Sequence, residues 1–359
     1  MIHLRVPPAE VGINYMTPLK IFNYNDMQSL KLKSIITIIF VLGIMVILNG
    51  ANYVTVATVG NRLPAMDKSK GMQNVVHRVM DFWDRELDQV FPGQPDLIVL
   101  PEVCDRPGGL NNDEMSEYYS VRKDQILDFF KAKAAENSCY IAYGTIRVDE
   151  NGSRRNSVIV IDREGDIAGI YDKNFPTIGE IESGIVPGNS SPLIKCDFGT
   201  VGCAICFDLN FTELCDEYAL KKPDILIFSS MYHGGLMQEY WAYQCRSFFV
   251  GSLAPRSTPS EIRDPLGQVL ASSTNYFDYA VTTINIDAKL VHLDYNRGRL
   301  RNMKEKYGSM VTVFDPGKIG AVLITSEHPD ISIDEMIDEF DIELLDDYLT
   351  RSRKAVSAF

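Results

Sequence analysis

Residues 202–214 read Gly-Cys-Ala-Ile-Cys-Phe-Asp-Leu-Asn-Phe-Thr-Glu-Leu. The first part is an apolar run typical of a buried strand, and the second is a polar turn that leads into a helix. Cys206 stands where the strand ends. A thiol at the end of a strand opens to a pocket, where neighbouring charges and the backbone N–H groups of the following turn can ionise it. The stretch therefore predicts a strand, a turn and a helix, with a candidate nucleophile at their junction.

Strand-like and helix-like segments alternate on both sides of this junction. Apolar and β-branched runs predict strands at 53–60, 96–100, 140–148, 156–162, 166–171, 201–206, 225–229, 248–253 and 279–286. Helical spacing of apolar residues predicts helices at 72–90, 118–136, 212–221 and 236–246. Because strand–helix units are mixed with consecutive strands joined by short turns, the pattern predicts a layered α/β sandwich and not a purely parallel doubly wound sheet.

Composition and charge limit the classes of partner. The chain has 359 residues, of which 45% are hydrophobic, so it can bury a sizeable core. Its formal net charge of -13 argues against a nucleic-acid surface, which needs clustered Lys and Arg. We therefore expect a small-molecule partner and no nucleic acid. The seven cysteines do not form a disulfide scaffold in a chain this long, and their odd number leaves at least one thiol free or paired between chains.

An apolar segment near the N terminus predicts a signal peptide or a membrane anchor. Residues 35–48 are almost continuously apolar and follow two lysines. Their length is at the upper end of a signal-peptide core and below the ~20 residues that span a bilayer comfortably. Met27 would be a conventional start, and the segment 27–51 is either cleaved or retained as an anchor. Both alternatives place the folded part outside the cytoplasm.

Three polar residues, Glu102, Lys173 and Cys206, each follow an apolar strand-like run. A carboxylate, an ammonium and a thiol at one sheet edge form a working set for covalent catalysis. The carboxylate takes the thiol proton, the thiolate attacks a carbonyl or nitrile carbon, and the ammonium stabilises the negative charge that develops. The ammonium also lowers the pKa of the thiol. Each residue alone is more often a cap or a solvated group, so the inference depends on the combination.

The order and context of these residues resemble the nitrilase superfamily of carbon-nitrogen hydrolases. The resemblance extends over about 53–314 and is carried by Leu-Pro-Glu at 100–102, Tyr-Asp-Lys-Asn at 171–174, Ile-Cys-Phe-Asp at 205–208, Trp241 with Arg246, and Asp-Pro-Leu-Gly at 264–267. It implies a four-layer αββα sandwich in a single catalytic domain. It also implies a homodimer formed sheet to sheet, or a higher homo-oligomer.

The resemblance implies a role for each residue of the set. Glu102 would be the general base, Lys173 the cation that stabilises the oxyanion, and Cys206 the nucleophile. The backbone N–H of Phe207 would complete the oxyanion hole.

A further acid is implied on the loop after the lysine, where the chain offers Glu180 and Glu182. We prefer Glu182, because Glu182-Ser183 upstream of a Pro-Gly pair fits the family pattern better. His233 follows a strand and is a second candidate for the substrate pocket, although a surface or core histidine is an equally good interpretation.

Some positions depart from the family pattern, and no cofactor motif is present. Asn210 and Thr212 replace the usual Arg and Pro of the family's Arg-Phe-Pro-Glu-Leu, and Phe175 occupies a position that follows the lysine. Cys203 and Cys206 form a C-x-x-C pair, but residues three apart in a strand face opposite sides, and no second pair completes a tetrahedral site. We expect no metal and no cofactor.

The sequence divides into three parts on this interpretation. Residues 1–52 form the leader, 53–315 the carbon-nitrogen hydrolase domain, and 316–359 an acidic amphipathic helical extension. In the extension, Ser332 to Glu335 is a capping box that precedes a stripe of apolar residues at helical spacing. This stripe predicts a terminal helix that packs on its own domain or on another subunit.

The predicted function is hydrolysis of a non-peptide carbon-nitrogen bond in a small amide or carbamoyl compound, through a cysteine thioester. One alternative is an acyltransferase that passes the same thioester to an amine or alcohol. The other is a non-catalytic binding protein on the same fold.

Overall fold

The computed structural model describes residues 50–255 and 257–359. The apolar segment 35–48, with the predicted signal peptide or anchor over 27–51, lies outside these residues. Within the described part, no helix has both the length and the apolar character needed to cross a bilayer. The location outside the cytoplasm stays a prediction, as does the homo-oligomer.

Two six-stranded sheets form the centre of the fold. In spatial order, the first sheet contains β12 (Tyr279–Asn285), β1 (Tyr53–Val59), β2 (Leu97–Val99), β3 (Tyr140–Val148), β4 (Arg154–Ile161) and β5 (Ile167–Asp172). The three strands β1, β2 and β3 are parallel, and all other neighbours in this sheet are antiparallel. The short turns predicted between β3, β4 and β5 are therefore hairpins.

The second sheet repeats this pattern. In spatial order, it contains β11 (Val269–Ser272), β10 (Glu261–Arg263), β9 (Phe248–Leu253), β8 (Ile225–Ser230), β7 (Gly199–Ile205) and β6 (Ile194–Cys196). Here β7, β8 and β9 are parallel, and the flanking strands are antiparallel. The carboxyl ends of parallel strands meet at the same edge of a sheet, which is where an α/β protein assembles a site from separate parts of the chain.

The central strands of each sheet are buried on both faces, which explains their nearly continuous apolar runs. Along β4, Val158 and Val160 pack in the core between the sheets, whereas Ile159 and Ile161 pack against helices on the outer face. The first sheet is covered by α1 (Met72–Leu87), α2 (Asn112–Arg122) and α3 (Gln125–Asn137), and the second by α5 (Thr212–Lys221) and α6 (Leu236–Cys245). The predicted αββα sandwich is confirmed.

The single helix predicted over 118–136 is wrong. Two helices, α2 and α3, occupy this region, and Lys123 between them has a positive φ of 43°. A residue with a positive φ ends a helix, because it turns the backbone out of the helical path. The apolar spacing continues across the break, so periodicity alone does not reveal it.

A third, smaller sheet follows the two large ones. In spatial order, it contains β13 (Ala288–His292), β15 (Ala321–Ser326) and β14 (Val311–Phe314), and its helices are α7 (Arg297–Tyr307), α8 (Ile333–Phe340) and α9 (Leu345–Val356). The capping box predicted at the start of α8 is present. The extension that the sequence predicts as helical contains a strand, β15, in the middle of this sheet.

Candidate active site

Glu102 and Lys173 meet at the edge of the first sheet. Glu102 follows β2 and Lys173 follows β5, and the Lys173 Nζ donates a hydrogen bond of 2.8 Å to Glu102 Oε1. Both side chains are buried, with 4% and 1% of their surface exposed. Gly144 on β3 lets the loop that carries Glu102 lie close, because a Cβ at this glycine would stand 2.3 Å from Pro101 O. The pair is therefore built into the interior and is not a surface contact.

Cys206 completes the set from the second sheet. Its thiol lies within reach of the Glu102 carboxylate and of the backbone N–H of Met231. The residue begins a short 3-10 turn, Cys206–Asn210, directly after β7, and has a positive φ of 46°. Non-glycine residues rarely adopt this conformation, and it holds the thiol at a sharp bend. The three residues singled out in the sequence thus lie together.

Asn156 is a fourth member that the sequence does not single out. Its Nδ2 donates to Glu102 Oε1 at 2.8 Å and to Glu180 Oε1 at 2.7 Å. The side chain is buried and lies near the start of β4. An amide group with two N–H donors can hold two carboxylates in place. The sequence did contain a signal, because Asn156 is a polar residue on the same face of β4 as the buried Val158 and Val160.

The second glutamate of the site is Glu180, which corrects the preference for Glu182. Lys173 Nζ donates to Glu180 Oε2 at 2.8 Å, whereas Glu182 is exposed at the end of the same short helix, α4 (Ile178–Glu182). Glu180 is the N3 residue of a capping box whose N-cap is Thr177, and the Thr177 N–H donates to the same carboxylate oxygen at 2.8 Å. The Thr-x-x-Glu spacing was therefore the signal that distinguishes the two acids.

The electrostatics of the cluster favour a charged lysine and a protonated thiol. Burial acts to lower the pKa of Lys173, but the two glutamates outweigh it and raise that pKa above its ordinary value. Burial raises the pKa of the Cys206 thiol to about 12, the charge of Glu102 adds to the shift, and Lys173 opposes it. The predicted effect of the lysine on the thiol has the right sign but is the smaller one. The resting thiol therefore needs a base to become a nucleophile.

Asp208 connects the turn that begins at Cys206 with the loop that carries Lys173. Its carboxylate is fully buried and accepts hydrogen bonds from the Ile205 N–H at 2.9 Å, the Tyr171 hydroxyl at 2.7 Å and the Phe175 N–H at 2.8 Å. Burial raises the pKa of Asp208 to about 6, although these three donors favour its charged form. One carboxylate thus fixes the relative position of two chain segments that come from different sheets.

A family comparison agrees with this geometry. The sequence profile of the Carbon-nitrogen hydrolase family matches residues 55–291. The chain belongs to the carbon-nitrogen hydrolase family. This confirms the resemblance found in the sequence, and it makes the chain a member of a family of hydrolases of non-peptide carbon-nitrogen bonds.

Individual relatives are distant. A hydrolase of Schizosaccharomyces pombe is 22% identical over 200 residues, which cover 49% of this chain and 62% of that protein. An omega-amidase of Xenopus laevis is 22% identical over 241 residues, or 60% of this chain and 85% of that one. The solved structure of Nit3 of Saccharomyces cerevisiae, a member of the nitrilase superfamily, has a TM-score of 0.55 at 19% identity and covers 65% of this chain and 90% of its own. The structural likeness shows that the fold is shared.

Two departures from the family motif lie just beyond the nucleophile. The Asn210 Nδ2, where the family has Arg, donates to the Phe207 carbonyl and to the Tyr232 hydroxyl, both at 3.0 Å. Thr212, where the family has Pro, is the first residue of α5. Proline is tolerated at a first helical position because no intrahelical bond is lost there, so its replacement leaves the helix start intact. Asn210 is therefore the more consequential change.

Aromatic side chains lie around the nucleophile turn. Phe175 stacks on Phe211 with 3.9 Å between ring centroids, and Phe207 meets Phe211 edge to face at 5.3 Å. Tyr232 is half-buried after β8; burial raises its pKa, and the charges of Cys206 and Lys173 both act on it. Tyr232 thus lies within electrostatic reach of Cys206 and Lys173, and no sequence motif singles it out.

His233 contacts a different part of the molecule. Its Nε2 lies 3.3 Å from Glu261 Oε2, and its Nδ1 accepts a hydrogen bond from the Gly235 N–H at 3.1 Å. Within the described part of the chain, the hydrogen-bond and ion-pair contacts of its imidazole are with β10 and its own turn and not with Lys173 or Cys206. Its place in the substrate pocket stays a prediction, as does the oxyanion role of the Phe207 N–H.

Proposed function

We propose that this enzyme hydrolyses a small amide by covalent catalysis at Cys206. The observation that carries the proposal is the buried contact of one thiol, one carboxylate and one ammonium. Glu102 takes the thiol proton, and the sulfur forms a bond with the amide carbon. The C–N bond then breaks, and the amine leaves with the proton held by Glu102. Water, deprotonated by the same carboxylate, attacks the thioester and releases the acid and the thiol.

Lys173 is placed to stabilise the oxyanion of this reaction. A lysine ammonium has three N–H donors, and two of them are given to Glu102 and Glu180. The third is left for the substrate oxygen, with the Phe207 N–H as the second donor. Because the cation is fixed by two carboxylates before substrate binds, little reorganisation is needed when charge develops.

The first prediction concerns turnover itself. We expect the purified chain to release ammonia from at least one class in a panel of aliphatic amides, monoamides of dicarboxylic acids, carbamoyl compounds and nitriles. Hydroxylamine added to the reaction should divert part of the acyl group to a hydroxamate, since it attacks the thioester more readily than water. The absence of ammonia from every class would contradict the proposal. Product that forms only with an added amine or alcohol acceptor would indicate an acyltransferase.

The second prediction separates the two glutamates of α4. Glu180→Gln removes the charge that faces Lys173 but keeps the size of the side chain, so we expect kcat/KM to fall by roughly tenfold to a hundredfold, the usual value of a hydrogen bond to a charged group. Glu182→Gln is the matched control, because it makes the same change on an exposed residue two positions away. We expect it to leave kcat/KM unchanged. A larger loss from Glu182→Gln than from Glu180→Gln would refute the assignment.

A further inference from the structure

The inner face of β4 carries residues of the core and of the candidate site. Alternate residues of a strand share one face, so Val160, Val158, Asn156 and Arg154 form one series. The two valines pack between the sheets, and Asn156 binds both glutamates of the site. Arg154 follows on the same face, about 7 Å further along the strand. Its side chain is exposed. Along this face, the apolar core is thus followed by the cluster of Glu102, Lys173 and Glu180, and then by a cation.

The surroundings of Arg154 link it to the nucleophile through packed side chains. Its guanidinium lies over the ring of Tyr119, 5.8 Å from the centroid, and donates to the Ser183 carbonyl at 3.3 Å. Tyr119 packs with Met231 around the same small apolar cluster. The backbone N–H of Met231 in turn lies within reach of the Cys206 thiol. Arg154 is therefore connected to Cys206 through the packed side chains of Tyr119 and Met231.

The charge of Arg154 is not neutralised by a neighbouring acid. Among the described residues, no carboxylate forms an ion pair with it, whereas the next residue, Arg155, pairs with Asp149 at 2.8 Å on the other face of β4. The catalytic cluster, by contrast, holds Glu102 and Glu180 against a single lysine. An anionic group on a substrate is therefore repelled from the two glutamates of the cluster and attracted to the guanidinium of Arg154. A guanidinium with free N–H groups matches a carboxylate in shape and charge.

We propose that Arg154 binds a carboxylate of the substrate, so that the preferred substrate is a small amide with an anionic group at its far end. The carboxylate binds Arg154, and the amide carbon reaches Cys206 at the other end of the substrate. This inference rests on the proposed amide hydrolysis. It assigns to Arg154 a role in specificity, because the guanidinium contacts the end of the substrate that does not react.

The test compares charged and neutral amides of equal length. The probes are succinamate, glutaramate and adipamate, against butanamide, pentanamide and hexanamide. We expect the kcat/KM of the full chain for the best of the three charged amides to exceed that for the neutral amide of equal length by roughly tenfold or more. One charged hydrogen-bonded contact provides a difference of this size. Arg154→Gln should remove most of this ratio by raising KM for the charged amide, and Arg154→Lys should restore part of it. Arg155→Gln is the matched control, and its ratio should equal that of the unaltered chain.

Binding provides a readout that does not depend on turnover. In the Cys206→Ala background, glutarate titrated by calorimetry should bind, and the added Arg154→Gln change should weaken it by roughly tenfold, while Arg155→Gln should not. An unaltered ratio in Arg154→Gln, or glutarate binding that is indifferent to this change, would overturn the inference. If no amide is hydrolysed but glutarate binding depends on Arg154, the proposed function fails and the carboxylate site stands.

Discussion

We expect Cys206→Ala to abolish amide hydrolysis while the protein remains folded. Loss of a nucleophile that acts as a unit with its base costs on the order of a million-fold in kcat, because no other group can form the covalent intermediate. The side chain is only partly buried, so its removal opens a small space beside Glu102 and Lys173 without disturbing the core. The measurement is ammonia release by the purified variant, with circular dichroism and a thermal melt as checks of the fold.

Cys203→Ala is the control for this change. Cys203 lies three residues earlier on β7 and is buried in the core between the layers. We expect it to retain turnover and to lose roughly 1 kcal/mol of stability, a typical cost of trimming a buried side chain. Turnover that survives Cys206→Ala, or is lost in Cys203→Ala with the fold intact, would contradict the assignment of the nucleophile.

The strain at the nucleophile can be measured in the same series. Cys206 has a φ of 46°, which costs a residue with a Cβ roughly 1–2 kcal/mol relative to glycine. Cys206→Gly should therefore be as inactive as Cys206→Ala and should melt at a higher temperature. This difference would show that the bend is held by the surrounding structure, including the hydrogen bond from Ile205 N–H to Asp208, and not by the preference of the residue itself.

The sequence predicts the catalytic set because each member ends an apolar run. Glu102, Lys173 and Cys206 are separated by 71 and 33 residues, yet the carboxyl ends of their strands converge. The period of the apolar pattern also predicts the strands of the first sheet and the three parallel strands of the second, but not its edge strands β6, β10 and β11. Apolar runs and the polar residues that end them are local features, and a single sequence shows them directly.

The remaining members of the site depend on tertiary contacts. Asn156 and Arg154 belong to β4, and their importance follows from which face of the strand is turned inward. Asp208 looks like an ordinary turn residue until its carboxylate is seen to accept donors from the lysine loop. The Thr-x-x-Glu spacing at 177–180 distinguishes Glu180 from Glu182. The spacing is informative only if a helix is predicted there, and this helix has only five residues.

The sign of the electrostatics could not be taken from residue types alone. A lysine beside a thiol suggests a lowered thiol pKa, and Lys173 does act in that direction. Burial and the charge of Glu102 are larger, and they raise the pKa. Both effects depend on how deeply the thiol is buried and how close it lies to Glu102, and the amino-acid sequence does not show either. The consequence is that the carboxylate has two opposing effects on the nucleophile, and these can be separated by experiment.

Glu102→Gln should lower turnover and at the same time make the resting thiol more reactive. The amide side chain keeps the size of the glutamate but cannot accept the thiol proton or return it to the leaving amine, so we expect kcat to fall by roughly 10²–10⁴-fold, the usual contribution of a general base. The same change removes a negative charge that raises the pKa of Cys206. Lys173 then acts on the thiol with less opposition, and the pKa should move downward from about 12.

Alkylation with iodoacetamide over a range of pH measures this second effect, because the reagent reacts with the thiolate. At a fixed alkaline pH, Glu102→Gln should be alkylated at Cys206 faster than the unaltered chain, and its rate should reach a plateau at lower pH. Glu182→Gln serves again as the control, with both rate and profile unchanged. Slower alkylation in Glu102→Gln would mean that the carboxylate generates the resting thiolate, and the protonated thiol inferred from burial would be wrong. Turnover and alkylation that change in opposite directions would identify Glu102 as a base that acts only once substrate is bound.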